Sequence, residues 1–212
     1  MRLITIALTK GRIMRETLPL LRAAGVEPAE DIDSSRKLSF DSTREGVRLL
    51  VLRGADVITY LRHGSADIGV VGKDMLLEDG GEGLYELVDL GIARCRLMTA
   101  GPAKQNNMSS RRRRVATKYT GIARAWYASQ GVQADVIKLY GGMELAPVMD
   151  LADEIVDIVD SGKTLVANGL EPRECIADIS SRLVANKASL KVKHADLMPL
   201  VDAIAAALVE QD

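Results

Sequence analysis

The sequence predicts an α/β protein built as two similar lobes with a cleft between them. Three observations carry that prediction. Near-continuous apolar strands such as "ADIGVV" are joined by helical patterns, as in a parallel or mixed sheet covered on both faces. Aromatics make up only 3% of the chain while Gly is common, at 18 of 212 residues, which suits close-packed layers joined by tight turns. Two stretches also echo each other, "ADIGVVGKDML" at 66–76 and "ADEIVDIVDSGKTL" at 152–165. Each has Ala-Asp, a buried strand, a Gly-Lys turn and a leucine entering the next helix.

Taken in order, "RLITIAL" reads as a strand and "TKGR" as a polar turn. A helix follows, with Ile13, Thr17, Leu20 and Leu21 at helical spacing and Gly25 as terminator. "VRLLVLR" is a second strand, "ADVITYLRHG" a helix of about two turns, and "ADIGVV" a third strand that runs into "GKDMLLEDG". A second set of units follows "RCRLMTAGP". It starts with a strand from about Arg114 to Thr117, then a helix with Ile122, Ala125 and Trp126 on one side. "ADVIKL" is a strand, "GMELAPVMD" a short helix, "EIVDIV" a strand, and "SGKTLVANGL" the start of a helix. The tail ends in a good helix former whose face of Leu197, Leu200, Val201, Ile204 and Leu208 reads as core or subunit contact.

Composition excludes several classes. Twenty-eight basic residues balance twenty-nine acidic ones, so net charge gives no case for nucleic acid or a membrane surface. The sequence has no 18-residue apolar run, and its first apolar segment is too short for a secretory signal and ends in charge, so a cytoplasmic protein is expected. Cys95 and Cys175 match neither a zinc knuckle nor a redox pair and are expected as buried, reduced thiols. Two histidines, His63 and His194, cannot build a protein-only His/Cys metal site, so a divalent metal is expected to arrive with a ligand. The run Arg111 to Arg114 lacks interleaved aromatics and reads as a solvated loop or an assembly or substrate-facing element, not as a nucleic-acid site.

The stretch "DEIVDIVDSGKTLVANGL" carries the chemistry. Its Ser-Gly-Lys-Thr is not a Walker loop, because that motif needs Gly at position 157, where Asp157 stands. A different anion site remains possible on these residues. The strand ends at Val159 and a helix starts near Thr164, so Ser161 and Gly162 offer backbone N–H groups, with hydroxyls from Ser161 and Thr164 and Leu165 as the anchor. The alternative is an ordinary helix start capped by Asp160 or Ser161. Asp157 and Asp160, three apart, would repel a phosphate unless they face sugar hydroxyls or a carried Mg²⁺, which suggests acids for a ribose and amides for its 5′-phosphate. Elsewhere, Lys10-Gly11-Arg12 and Arg53 follow strand ends and suit a polyphosphate or a solvated turn. Asp74 suits a base or hydroxyl, or a helix cap. Glu144 opens a helix after Gly141-Gly142, and Thr117, Lys118 and Tyr119 form another strand-to-helix turn able to hold an anion.

Together "ALTKGR", "LRGADVITYLRHGSADIGVVGKDML", "VATKYTGIAR", "KLYGGMELAPVMDLADEIVDIVDSGKTLVANGL" and the short tail resemble the catalytic subunit of the ATP phosphoribosyltransferase family, short form, over essentially the whole chain. The resemblance implies a two-lobe fold like that of type II periplasmic binding proteins. Residues 1–92 would form the first lobe, 93–174 the second, and 175–212 the return to the first. It implies transfer of a 5-phosphoribosyl group from phosphoribosyl pyrophosphate to N1 of ATP, in the first step of histidine biosynthesis, with Mg²⁺ accompanying the pyrophosphate. The 5′-phosphate loop would be Asp160, Ser161, Gly162, Lys163, Thr164 and Leu165, with Lys163 at a position where the family loop varies. Asp157 and Glu144 would contact the ribose hydroxyls, Asp74 would lie near the nucleotide, and Lys10, Arg12 and Arg53 would be cationic active-site residues. A regulatory subunit resembling histidyl-tRNA synthetase is implied, as four plus four subunits, with histidine inhibiting through it. The "SSRRRR" run is longer and more basic than the family pattern.

Such a reaction needs no protein nucleophile, only positioning and electrostatics, with lobe closure excluding water. A two-lobe solute-binding module is the rival reading; two acids beside a phosphate loop exceed what simple capture requires.

Overall fold

The computed structural model describes residues 3–103 and 112–209, and divides into two compact units. One comprises Met1–Ala93 with Ser180–Asp212, the other Arg94–Ile179. In chain order the first unit holds β1 (Ile4–Thr9), α1 (Arg12–Ala23), β2 (Ser39–Asp41), β3 (Val47–Leu52), α2 (Gly54–Arg62), β4 (Ile68–Gly72), α3 (Lys73–Asp79) and β5 (Leu84–Asp89). The second holds β6 (Cys95–Pro102), β7 (Arg113–Thr117), α4 (Thr120–Ser129), β8 (Ala134–Lys138), α5 (Leu145–Val148), β9 (Glu154–Val159), α6 (Lys163–Ala167) and β10 (Leu170–Ile179). The chain then returns to the first unit as β11 (Ser181–Asn186), α7 (Lys187–Val192) and α8 (His194–Val209).

The first sheet is ordered β2-β3-β1-β4-β11-β5, the second β10-β6-β9-β7-β8. Each sheet has three adjacent parallel strands, β3-β1-β4 in the first and β9-β7-β8 in the second, bordered by an antiparallel strand. β4 lies between parallel β1 and antiparallel β11; β9 lies between parallel β7 and antiparallel β6. The two echoing sequence stretches therefore occupy the same station in their respective sheets. Each is a central strand feeding a short helix.

Periodicity explains why the first sheet is covered twice. Ile4, Ile6 and Leu8 of β1 enter a core with Leu20 and Leu21 of α1 and Leu197, Leu200, Val201 and Ile204 of α8. Ala7 enters the opposite core, with Val57, Ile58 and Leu61 of α2. Each large aliphatic so buried contributes about 1.5–3 kcal/mol. The apolar face of the last helix is thus core of its own unit. At the end of α1 the N–H groups of Gly25 and Val26 close on the carbonyls of Arg22 and Leu21, the predicted stop.

Four expectations are corrected. The return begins at Ser180, not at 175, because β10 continues to pair with β6 as far as Ile179 opposite Cys95. Helix α4 buries Ala123 and Tyr127, not the side bearing Ile122, Ala125 and Trp126; a phenol can be turned inward when its ring has apolar cover. Cys175 is exposed and Cys95 half-buried, neither in a disulfide; Cys175 lies on the edge strand β10, most of whose residues stay outside the core. Arg111 lies outside the described residues. Arg113 and Arg114 belong to β7 instead of a solvated loop, and Arg112, Arg113 and Arg114 each meet an acid, respectively Asp135, Glu154, and the pair Asp150 and Asp153. Among the described residues no helix is long and apolar enough to cross a membrane.

Candidate active site

In the second unit, β9 delivers Asp157 and Val159 to the sheet edge, and Asp160-Ser161-Gly162 turns the chain into α6. Gly162 is the N-cap and takes a left-handed conformation, φ 75° and ψ 0°, which a residue with a Cβ adopts only at a cost. The N-cap position falls on Gly162, one and two residues after the expected caps Ser161 and Asp160. Leu165 is buried beside Ile155, Val159 and Leu170 and fixes the helix to the sheet. A cavity of about 280 Å³ opens here, lined by Glu144, Asp157, Ile158, Val159 and the loop from Asp160 to Leu165. Every loop residue singled out from the sequence lines it, together with both predicted ribose acids.

The local geometry sets the acids. Asp157 Oδ1 accepts the N–H of Ile158 at 2.8 Å, which steers its carboxylate. Glu144 occupies the N-cap position of α5, in helical conformation after the Gly141-Gly142 pair, and is half-buried. Lys118 Nζ comes within 4.0 Å of Asp157 Oδ1 and lies 4.7 Å from the centre of the Tyr119 ring. The approach of Lys118 to Asp157 has no signal in the sequence; only the parallel pairing of β7 with β9 brings the residue after Thr117 beside that acid.

Thr117 has a different role from the one expected. It is fully buried; its hydroxyl donates to the Val156 carbonyl at 2.6 Å and accepts the N–H of Tyr119 at 2.9 Å. With those bonds made, Thr117 shapes the turn that carries Lys118 and does not itself offer a hydroxyl to an anion.

In the first unit, strand register places three more candidates along one edge. Thr9 pairs with Leu52, so Lys10 and Arg53 both follow directly, and the Lys10 N–H bonds the Leu52 carbonyl at 2.8 Å. β4 runs parallel on the other side of β1 and ends at Gly72, just before Lys73 and Asp74. Lys10, Arg53 and Asp74 thus share the carboxyl end of three adjacent parallel strands, where open α/β sheets bind ligands. Lys10 and Arg53 are exposed, and Asp74 is 5% exposed. The Asp74 carboxylate folds back over Gly72: a Cβ at that glycine would stand 2.2 Å from Oδ1. Arg12 opens α1 and donates from Nε to Glu16 Oε1 at 2.6 Å, while Glu16 Oε2 accepts the Ala93 N–H at 2.6 Å. The Arg12 hydrogen bond, then the Ala93 N–H, hold the Glu16 pKa below the usual carboxylate value.

The second unit thus sets two carboxylates and a strand-to-helix loop around one cavity in a two-unit α/β chain. The family model for HisG, ATP phosphoribosyltransferase, matches residues 53–206. The chain is 63% identical over 206 residues to the ATP phosphoribosyltransferase of Hahella chejuensis, covering 97% of each chain. It is 62% identical over 208 residues to that of Teredinibacter turnerae, covering 98% of this chain and 97% of the relative. Among solved structures, a chain of the ATP phosphoribosyl transferase (HisG:HisZ) complex from Thermotoga maritima aligns with TM-score 0.85 and 30% identity over 99% of this chain and 100% of that one. The periplasmic aliphatic sulphonate binding protein SsuA of Escherichia coli aligns with TM-score 0.60 at 13% identity, covering 98% of this chain and 73% of SsuA, a likeness of fold alone. This chain belongs to the ATP phosphoribosyltransferase family, the family of the first step of histidine biosynthesis.

Proposed function

We propose that the chain transfers the 5-phosphoribosyl group of phosphoribosyl pyrophosphate to N1 of ATP, releasing pyrophosphate. The observation that carries the site assignment is the second-unit cavity, where Asp157 and Glu144 line the same space as the loop Asp160 to Leu165. In this reading the amides of Ser161, Gly162, Lys163, Thr164 and Leu165 receive the donor's 5′-phosphate, with Thr164 adding its hydroxyl. Asp157 and Glu144 take the ribose hydroxyls. Lys118, close to Asp157, tempers the charge of that carboxylate. Lys10, Arg12 and Arg53 serve the phosphates of the nucleotide and the leaving pyrophosphate, and Asp74 serves the nucleotide.

The N1 lone pair forms the new bond to the anomeric carbon, and the electron pair of the breaking C–O bond departs with pyrophosphate. Positive charge grows on the sugar ring and negative charge on the leaving oxygen. Carboxylates beside the ring and cations beside the leaving group stabilise that distribution more than the ground state, the condition for catalysis. Mg²⁺ fits as an ion carried by the donor. With Asp157 and Glu144 on the ribose, Asp160 is the lining carboxylate that would face such an ion. When bound, Mg²⁺ supplies neutralisation of pyrophosphate charge.

We further propose a cytoplasmic hetero-oligomer of four plus four subunits. Its regulatory partner would resemble histidyl-tRNA synthetase, in keeping with the complex in which the Thermotoga maritima chain was solved. Incubation with ATP and phosphoribosyl pyrophosphate tests the reaction directly: pyrophosphate and an N1-ribosylated nucleotide are expected in equal amounts. Binding of both compounds without pyrophosphate release would overturn it.

A further inference from the structure

Within the arginine run, Arg114 grips a turn of the main chain. Its Nη1 donates to the Asp150 carbonyl at 2.7 Å, and its Nη2 donates to Asp150 Oδ1 at 2.7 Å and to Asp153 Oδ1 at 3.0 Å. The backbone repeats the link: the Arg114 N–H donates to Asp153 Oδ2 at 2.8 Å, and the Arg114 carbonyl accepts the Asp153 N–H at 2.8 Å. Both acids stand in the connection from α5 to β9. Glu144 is the N-cap of α5 and Asp157 belongs to β9, so this connection joins the two carboxylates that line the donor pocket.

Helix α5 has little else to hold it in place. It is a single turn of 4 residues, too short to persist on its own hydrogen bonds. Ala146 is its buried residue, and Met143 is buried just ahead of it, whereas Leu145, Val148 and the following Met149 are exposed. The chain then doubles back tightly, with the Ala146 carbonyl accepting the N–H groups of Leu151 at 2.9 Å and Ala152 at 3.2 Å. Inside that turn Asp150 takes a left-handed conformation, φ 54°, which a residue with a Cβ keeps only where its surroundings hold it. Arg114 is what holds it. The Asp150 carboxylate is exposed, so that ion pair alone would be weak. The Asp150 carbonyl and the Asp153 carboxylate, 6% exposed, are the firmer acceptors, and the planar guanidinium spans both. Its own anchor is β7, paired on either side with β8 and β9.

We propose that Arg114 is a positioning residue for the transferase reaction: it pins the turn after α5 to the sheet and thereby sets Glu144 against Asp157 across the donor pocket. The inference rests on the reading of Glu144 as a ribose acid. Arg114 is absent from the lining of that pocket and acts through Glu144. With the clamp loosened, the short helix shifts over its few apolar contacts and its carboxylate leaves the sugar hydroxyls, a misplacement to which a positioned reaction is sensitive.

The test is a double-mutant cycle in the full-length chain between Arg114→Lys and Glu144→Ala, read as kcat/KM for phosphoribosyl pyrophosphate. Arg114→Lys keeps the positive charge beside Asp153, but one ammonium cannot span both acceptors as the fork does. It is expected to lower kcat/KM for the donor about tenfold, to leave ATP affinity unchanged, and to speed hydrogen exchange of the amides at 142–152. In the Glu144→Ala background it is expected to cost nothing further, because positioning works only through that carboxylate. Asp150→Gly, which suits the left-handed position and removes only the exposed arm of the clamp, should show a smaller loss that also vanishes in that background. Wild-type kinetics in Glu144→Ala alone would remove the ribose-acid reading and this inference with it. An impaired Glu144→Ala overturns the inference alone if Arg114→Lys keeps wild-type kinetics or exchange, or if its full loss multiplies onto Glu144→Ala.

Discussion

The two units place the same element in the same sheet position and finish it differently. In the first, β4 passes at once into α3: Gly72 is extended, and the Asp74 carboxylate occupies the space a Cβ would need. In the second, β9 passes into α6 through Asp160-Ser161-Gly162, and Gly162 turns left-handed before the helix begins. One strand end is filled by a side chain of the helix that follows it; the other is left open as a cavity lined by the loop from Asp160 to Leu165. The contrast teaches that strand order fixes where ligands are met, while two or three turn residues fix which chemistry is met there.

The sharpest way to break that contrast is at Asp157. Asp157→Ala is expected to lower turnover by about a hundredfold to a thousandfold, the range for deleting a group that stabilises transition-state charge, with the melting temperature near wild type. Steady-state kinetics with both substrates checks it, and near-normal turnover would remove the carboxylate from the mechanism. Thr117→Val comes next and should act on stability instead of binding. It removes the buried hydroxyl that serves the Val156 carbonyl and the Tyr119 N–H, at a cost of about 1–3 kcal/mol in a urea melt, while donor affinity per folded molecule stays unchanged.

The paired glycines sharpen the comparison directly. Gly162→Ala forces a Cβ into a left-handed residue, costing about 1–2 kcal/mol, and should weaken the donor more than ATP. Gly72→Ala should do the reverse, because the new methyl displaces the Asp74 carboxylate. Separate binding titrations decide both, and equal losses for the two ligands would erase the division of labour. Thr164→Ala is a milder version of the first, with donor affinity down about threefold to tenfold and ATP affinity intact.

The smallest effect concerns Glu16. Its folded pKa is depressed, so its contribution to stability is present above the unfolded value and is lost as pH falls through the folded one. The loss should therefore start near pH ~4, the ordinary glutamate range, and continue below it. Glu16→Gln should flatten this acid limb in thermal melts recorded against pH, with wild type and variant converging at the acidic end.

Much of the architecture and of the donor pocket is legible in the chain itself because the signals are local. Apolar runs broken by Gly-Lys turns mark β4 and β9, and the aspartate standing where a Walker loop needs glycine excludes that loop on spacing alone. What escapes depends on which strands become neighbours. Lys118 gains its place beside Asp157 through the pairing of β7 with β9, and Thr117 loses its hydroxyl to the same pairing. The arginine run reads as solvent-facing because its acids, Asp135, Asp150, Asp153 and Glu154, are remote in sequence and reach it only through the folded sheet. The inward turn of Tyr127 is hidden because Trp126, more apolar on its own, is the stronger local signal for burial.

The late return of the chain has a consequence for synthesis. β11, contributed by Ser181–Asn186, is inserted between β4 and β5, and α8 supplies one wall of the first unit's interior. A ribosome that has emitted everything through Ile179 has thus delivered all of the second unit but only part of the first. The middle of the polypeptide can mature while the amino-terminal portion waits, exposed, for its closing strand and helices, reversing the usual order in which nascent chains consolidate from the front.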